Sequence, residues 1–187
     1  MDFSGIFEVD RGTGLLAPAE LCLSPNRDSR PPGATLDLLV VHGISLPPGQ
    51  FIGRYVEDFF LNRLDPTADP FFVTIKDLRV SAHLYIRRDG GVVQFVPFHE
   101  RAWHAGKSVF EHRDACNDFS IGVEMEGADD VPYTAVQYSV LAAIIGVLKK
   151  SYPTLNALVG HSDIAPGRKT DPGPAFDWAT LAQRLPG

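Results

Sequence analysis

The sequence predicts an α/β protein: a single domain with a central mixed β-sheet flanked by helices. Three observations carry this. Residues 37–42 (DLLVVH) form a short continuous apolar run closed by Gly43, the pattern of a strand covered on both faces. Residues 81–98 read as strand, turn (Asp89, Gly90, Gly91) and strand, an antiparallel hairpin. Residues 119–126 alternate again, and a helical apolar period follows over about 135–151. Strands interleaved with helices, plus one antiparallel pair, give a mixed sheet with helices packed on it.

The elements follow in chain order. Residues 1–36 hold Pro18, Pro25, Pro31, Pro32 and Gly33 and keep no period. They predict an irregular segment packed on the domain formed by 37–187. After the first strand, Pro47, Pro48 and Gly49 force a turn. Ile52, Tyr55, Val56 and Phe59 then fall at i, i+3, i+4 and i+7, which predicts an amphipathic helix over 50–61. In the hairpin, Ala82, Leu84 and Ile86 share one face, with Ser81, His83 and Tyr85 on the other; residues 92–98 return. Phe119, Ile121, Val123 and Met125 face one way, and Ser120, Gly122, Glu124 and Glu126 the other. Thr134 is the expected N-cap of a helix to about Ser151 with Leu141, Ile144, Ile145 and Leu148 as its stripe, ended by Tyr152 and Pro153. Residues 155–160 predict a last strand and 161–174 a loop rich in Gly and Pro. Asp177 is placed to cap a short terminal helix.

The 187 residues are 44% apolar and 21% charged, which suits one domain with its own core. This excludes a disordered chain. No apolar run reaches the roughly 20 residues of a membrane helix. Two cysteines do not make a disulfide scaffold, and a net charge of −6 is the wrong sign for a nucleic-acid surface. Asp2, Glu8, Asp10 and Arg11 interrupt any secretory stretch at the N-terminus, and no lipidation pattern stands there. The expected compartment is therefore the cytosol, with Cys22 and Cys116 reduced. No nucleic-acid, membrane or obligatory protein partner is expected.

Six histidines offer metal chemistry. A catalytic zinc site uses three protein ligands and one open position. His42 and His161 each follow an apolar strand immediately. Asp171 precedes Pro172, which biases its backbone to an extended shape, and Pro172, Gly173 and Pro174 stiffen the loop around it. Spacing alone favours the plainer reading of each, a hydrogen-bonded strand-end residue for the two histidines and a turn residue for Asp171. His99 and His112, among charged neighbours, are expected in solvent. His83, on a polar strand face, and His104, beside Trp103, either line a pocket or satisfy the fold. Glu124 becomes a base with a raised pKa if its face meets the pocket, and Glu126 on the same face is its rival. Lys169 is either an oxyanion partner or an exposed loop lysine.

The wording of the sequence goes further than its spacing. The strings LVVH (39–42), ISLPPG (44–49), RVSAH (79–83), RAWHAG (101–106), CNDFSIGVE (116–124), GHSDIAP (160–166) and RKTDPGP (168–174) closely resemble the N-acetylmuramoyl-L-alanine amidase family. That family also holds phage-type lysozyme amidases and animal peptidoglycan recognition proteins. The resemblance runs over about 38–178. It implies the family's mixed-sheet zinc amidase fold and one catalytic Zn2+ held by His42, His161 and Asp171. It implies Glu124 and Lys169 as catalytic residues: Glu124 moves the proton, and Lys169 faces the oxyanion. The implied substrate is a small muropeptide, cut between the lactyl group of 1,6-anhydro-N-acetylmuramic acid and L-alanine. The implied role is cytosolic recycling of cell-wall fragments, with an indirect influence on β-lactamase induction where a bacterium couples the two. Alternatives are an amidase acting on intact peptidoglycan, a non-catalytic peptidoglycan-binding module, and a closed structural zinc site.

The carboxylates of a stem peptide call for a local basic pocket in an acidic protein. Arg79 and Arg113, with His83, Trp103 and His104, are the expected substrate-binding residues, and Arg168 and Lys169 complete the expected patch. One departure stands out. Gly43 follows His42 where the resemblance leads one to expect asparagine, and glycine has no side chain to bond the sugar's amide.

Overall fold

The computed structural model describes residues 3 and 5–186. The chain opens with β1 (Glu8–Asp10), β2 (Leu15–Ala17), β3 (Glu20–Leu21) and β4 (Arg27–Ser29). β5 (Leu38–Ile44) leads to helices α1 (Tyr55–Phe60) and α2 (Phe72–Ile75). The hairpin β6 (Leu84–Ile86) and β7 (Val92–Gln94) follows, then β8 (Glu100–Ala102) and the small pair β9 (Val109–Phe110) and β10 (Arg113–Asp114). A 3-10 turn at Cys116–Asp118 enters β11 (Ser120–Glu126). The long α3 (Ala135–Ser151), β12 (Ala157–Gly160), α4 (His161–Ile164) and α5 (Trp178–Ala182) complete the fold.

Among the described residues the main sheet has six strands in the order β12-β5-β11-β6-β7-β3. Every neighbouring pair is parallel except the β6–β7 hairpin. Both faces of β5 and β11 are covered, which is why their residues read as apolar runs. On one face Leu39, Val41, Ile121, Val123, Met125, Leu84 and Ile86 pack with Leu141, Ile144, Ile145 and Leu148 of α3. On the other, Leu38 and Val40 meet Phe119 and Ile164, and Tyr85 and Val93 meet Val56, Phe59, Phe60 and Phe72. α3 starts where expected: the Thr134 hydroxyl accepts from Gln137 N, and the Gln137 side chain accepts from Thr134 N, a complete capping box. Register then places the chemistry. Glu124 pairs beside His42, and Gly160 beside Val41, so His161 emerges next to His42.

Several sequence expectations change. The described part of residues 1–36 contains four short strands. β1 and β2 form a hairpin, β3 adds a parallel edge to β7, and β4 pairs with β8. Strands of two or three residues are too short to show a period. The helix expected over 50–61 begins only at Tyr55, because Gly53 adopts φ +72 and leaves Ile52 in solvent. The span 161–174 is not all loop: α4 takes up its first four residues.

Candidate metal centre and active-site cavity

The C-terminal ends of β12, β5 and β11 converge on one point, the place where open α/β sheets put their ligands. His42 comes from β5, and His161 is the first residue of α4 beyond β12. Their Nδ1 atoms lie 3.0 Å apart, and each is 3.1 Å from Asp171 Oδ2. Both histidines are buried. Asp171 is brought back by the 165–171 loop, whose end is tied down by a bond from Ser162 N to Asp171 O at 3.0 Å. These three residues form a group whose ligand atoms suit a single metal ion.

Hydrogen bonding on the far side of each ring decides where its lone pair points. His161 Nε2 faces the Ala105 carbonyl at 3.1 Å, so in the neutral ring the proton sits on Nε2 and Nδ1 is the acceptor. His42 Nε2 faces His104 Nδ1 at 2.9 Å, and His104 Nε2 faces Ser120 Oγ at 3.0 Å. Ser120 spends its own hydroxyl proton on Cys116 O at 2.5 Å. It must therefore accept from His104, which must accept from His42, and Nδ1 of the neutral His42 ring is an acceptor as well. Burial reinforces this neutral state. It pulls the His42 pKa down to about 4 and that of His104 well below the usual range. Burial acts to raise Asp171, but its contacts with His161 and His42 override that and hold it below the carboxylate range. With both rings neutral, two acceptor nitrogens and a carboxylate oxygen face one another. That arrangement repels itself unless a cation sits at its centre. A tetrahedral ion with bonds of about 2.0–2.1 Å would set such atoms roughly 3.4 Å apart, a few tenths beyond the separations here. The donor set of two imidazoles and one carboxylate fits zinc.

Beside this triad lies a cavity of about 230 Å³, lined on its apolar side by Leu46, Phe59, Phe60, Phe71, Ile75 and Leu78, and on its polar side by His42, Glu124 and Lys169 among others. Glu124 is buried, and its Oε2 has no hydrogen-bond partner. Burial pushes its carboxyl well above the usual range, with Asp171 adding to the rise and Lys169 opposing it. Glu126 is spent elsewhere, accepting from Arg88 N at 2.8 Å. Two larger cavities exist, about 400 Å³ against α3 and about 830 Å³ along β2 and β3, but neither holds a histidine.

The remaining candidates occupy the following positions. His83 is fully buried; its Nδ1 accepts from Gly122 N at 3.0 Å and its Nε2 faces Glu100 O at 3.1 Å, so it ties strands together. His104 lines the cavity and also stands behind His42, as above. Trp103 is half-buried with its indole beside Asp28, away from the cavity. Arg113 pairs with Asp37, which precedes β5, at the end of that strand opposite His42. Arg168 donates to the carbonyls of Ala105 and Lys107. Arg79 is exposed and bonds the carbonyls of Lys76 and Leu78. Of the expected basic patch, Lys169 lies in the cavity wall. Sequence reasoning missed Ser120 and the Ala105 carbonyl, whose roles depend on side-chain and backbone geometry with no pattern of its own. It also missed Tyr133, whose hydroxyl donates to Pro172 O at 2.9 Å and whose phenol is raised by burial, so it remains a donor.

Comparison with known proteins agrees with this geometry. The family described as N-acetylmuramoyl-L-alanine amidase matches residues 32–174. A protein of Escherichia coli strain K12 named 1,6-anhydro-N-acetylmuramyl-L-alanine amidase AmpD is 56% identical over 167 residues, covering 89% of this chain and 91% of the relative. A crystal structure of a selenomethionine AmpD derivative superposes with a TM-score of 0.92 at 51% identity, over 95% of this chain and 99% of that one. The amidase AmiD from E. coli, solved with anhydro-N-acetylmuramic acid-L-Ala-D-gamma-Glu-L-Lys, superposes with a TM-score of 0.58 at 30% identity, over 83% of this chain and 60% of that one.

Proposed function

The chain belongs to the N-acetylmuramoyl-L-alanine amidase family, and from that premise we propose that it is a zinc-dependent hydrolase of anhydro-muropeptides. It cuts the amide between the lactyl group of 1,6-anhydro-N-acetylmuramic acid and the L-alanine of the stem peptide. The observation that carries this is the convergence of the two Nδ1 atoms and Asp171 Oδ2 beside a buried, unpartnered Glu124 oxygen.

His42, His161 and Asp171 would hold the ion. Once bound it supplies Lewis-acid chemistry, polarising the scissile carbonyl and lowering the pKa of water toward about 7. Glu124 accepts the proton released as water adds to the carbonyl carbon, and returns it to the alanine nitrogen as the C–N bond breaks. The products are the lactyl carboxylate and the free amine of the peptide. Lys169 faces the oxyanion while it exists, and its removal costs about 10²–10³ in rate if it behaves like other single donors. An apolar wall including Leu46, Phe59, Phe60 and Phe71 borders the site on one side.

The role in the cell is the recycling of wall fragments, placed in the cytosol. Free thiols at Cys22 and Cys116 support that compartment, and among the described residues no helix is long and apolar enough to cross a membrane. Mass spectrometry of products from anhydro-muramyl tripeptide, with and without a chelator, tests the reading. Free tripeptide should appear only without the chelator, and much more slowly from polymeric murein. Chelator-resistant release, or preference for the polymer, would count against it.

A further inference from the structure

The glycine after His42 has a physical reason. A methyl group on Gly43 would collide with the Tyr133 hydroxyl and would lie 3.5 Å from Pro172 Cα. That hydroxyl donates to the Pro172 carbonyl, one residue beyond Asp171. Tyr133 is itself held in place. A methyl on Gly127 would overlap its ring, and the ring packs against Phe176 and Tyr138 at centroid distances of 5.3 and 6.4 Å. The same strap grips the loop again: Asp129 O accepts from Ala175 N at 2.9 Å, and Gly173, at φ +83, passes so close to Asp129 that any side chain there would overlap it. Residues 127–133 thus clamp 171–176 from one side, while Ser162 N holds Asp171 O from the other.

We propose that Tyr133 is a positioning residue for the metal ligand Asp171, and that position 43 is glycine to admit the Tyr133 hydroxyl. The inference rests on the metal reading above. Asp171 is the one ligand of the three that comes from a loop and not from a strand end or helix start, so it has the most freedom to lose. Fixing the next carbonyl removes that freedom and leaves Oδ2 aimed at the two Nδ1 atoms. Outer contacts of this kind are worth about 10–100-fold in metal affinity at other sites. A side chain at position 43 would push the hydroxyl off Pro172 and undo the same contact from the other direction.

The test is zinc affinity of the full chain, measured by competition with a fluorescent chelator, alongside the melting temperature of the metal-free protein. Four proteins are compared: wild type, Tyr133→Phe, Gly43→Ala and the double variant. Tyr133→Phe should weaken zinc binding at least 10-fold by the same outer-contact range, with the circular dichroism spectrum unchanged. Gly43→Ala should weaken it similarly. The double variant should be no worse than either single one, because phenylalanine leaves no hydroxyl to displace. Wild-type affinity in Tyr133→Phe overturns the proposal, as do penalties that add in the double variant. A wild-type protein that takes up no zinc defeats the metal reading itself, and the proposal with it.

Discussion

Glu124 holds the least comfortable position of any side chain in the cavity, and its behaviour is the sharpest residue-level prediction. A carboxyl raised in the fold binds more protons folded than unfolded, so its stabilising share is complete below the unfolded pKa and is lost as pH rises toward the folded one. Glu124→Gln should therefore raise the melting temperature of the metal-free protein near neutral pH while removing most turnover, a trade of stability for chemistry. As a base, Glu124 works only when ionised. The acidic limb of kcat/KM should then lie above the ordinary glutamate value of about 4.3. Lys169 opposes that rise, so the residual activity of Lys169→Ala should show its acidic limb at higher pH, besides a loss of about 10²–10³ in kcat. Glu126→Ala should be mild, since that carboxylate serves Arg88 N; a dead Glu126→Ala enzyme would mean the wrong glutamate has been assigned. His104→Ala should cost about 10–100-fold in zinc affinity through the orientation of His42. At this scale the sequence was readable through its motifs and not through its spacing. Strand-end placement left His42 and His161 open between ligand and structural residue. His83 looked as good as His104 because alternation shows which face a residue occupies, not what lies against it.

Helix α3 shows how much a single element contributes to holding the sheet, and so the site, in place. Its buried stripe packs on the face of β5 and β11 opposite the metal ligands. Leu141→Ala should cost about 2–5 kcal/mol, by lost transfer energy plus the cavity left behind. Thr134→Ala should cost about 1 kcal/mol by opening the capping box, and urea denaturation reads both. α3 was legible almost to the residue because both of its ends carry chemistry: Thr134 with Gln137 at one, Tyr152 and Pro153 at the other. The strands of the first 36 residues were not, for want of length. α1 was over-extended because the period of Ile52, Tyr55, Val56 and Phe59 says nothing about the φ of Gly53. Gly122 shows a subtler limit. Alternation places it on one face of β11 but does not show that a side chain there would overlap His104, so that its absence makes room for the relay behind His42.

Across the whole molecule, the site depends on topology. His42 and His161 are 119 positions apart, and three parallel strands bring them, with Glu124, to one sheet edge. The same register carries Arg113 to the wrong end of β5, which no local pattern could show. A chain of −6 was expected to gather a basic patch for its acidic substrate; Lys169 lines the cavity, while Arg79 and Arg168 donate to backbone carbonyls and Arg113 pairs with Asp37. The central claim is that these distant residues share one ion, and diffraction from zinc-loaded crystals at the zinc absorption edge tests it most directly. A single anomalous peak should lie about 2.0–2.2 Å from His42 Nδ1, His161 Nδ1 and Asp171 Oδ2. A peak bound elsewhere, or none at these three atoms, would contradict it.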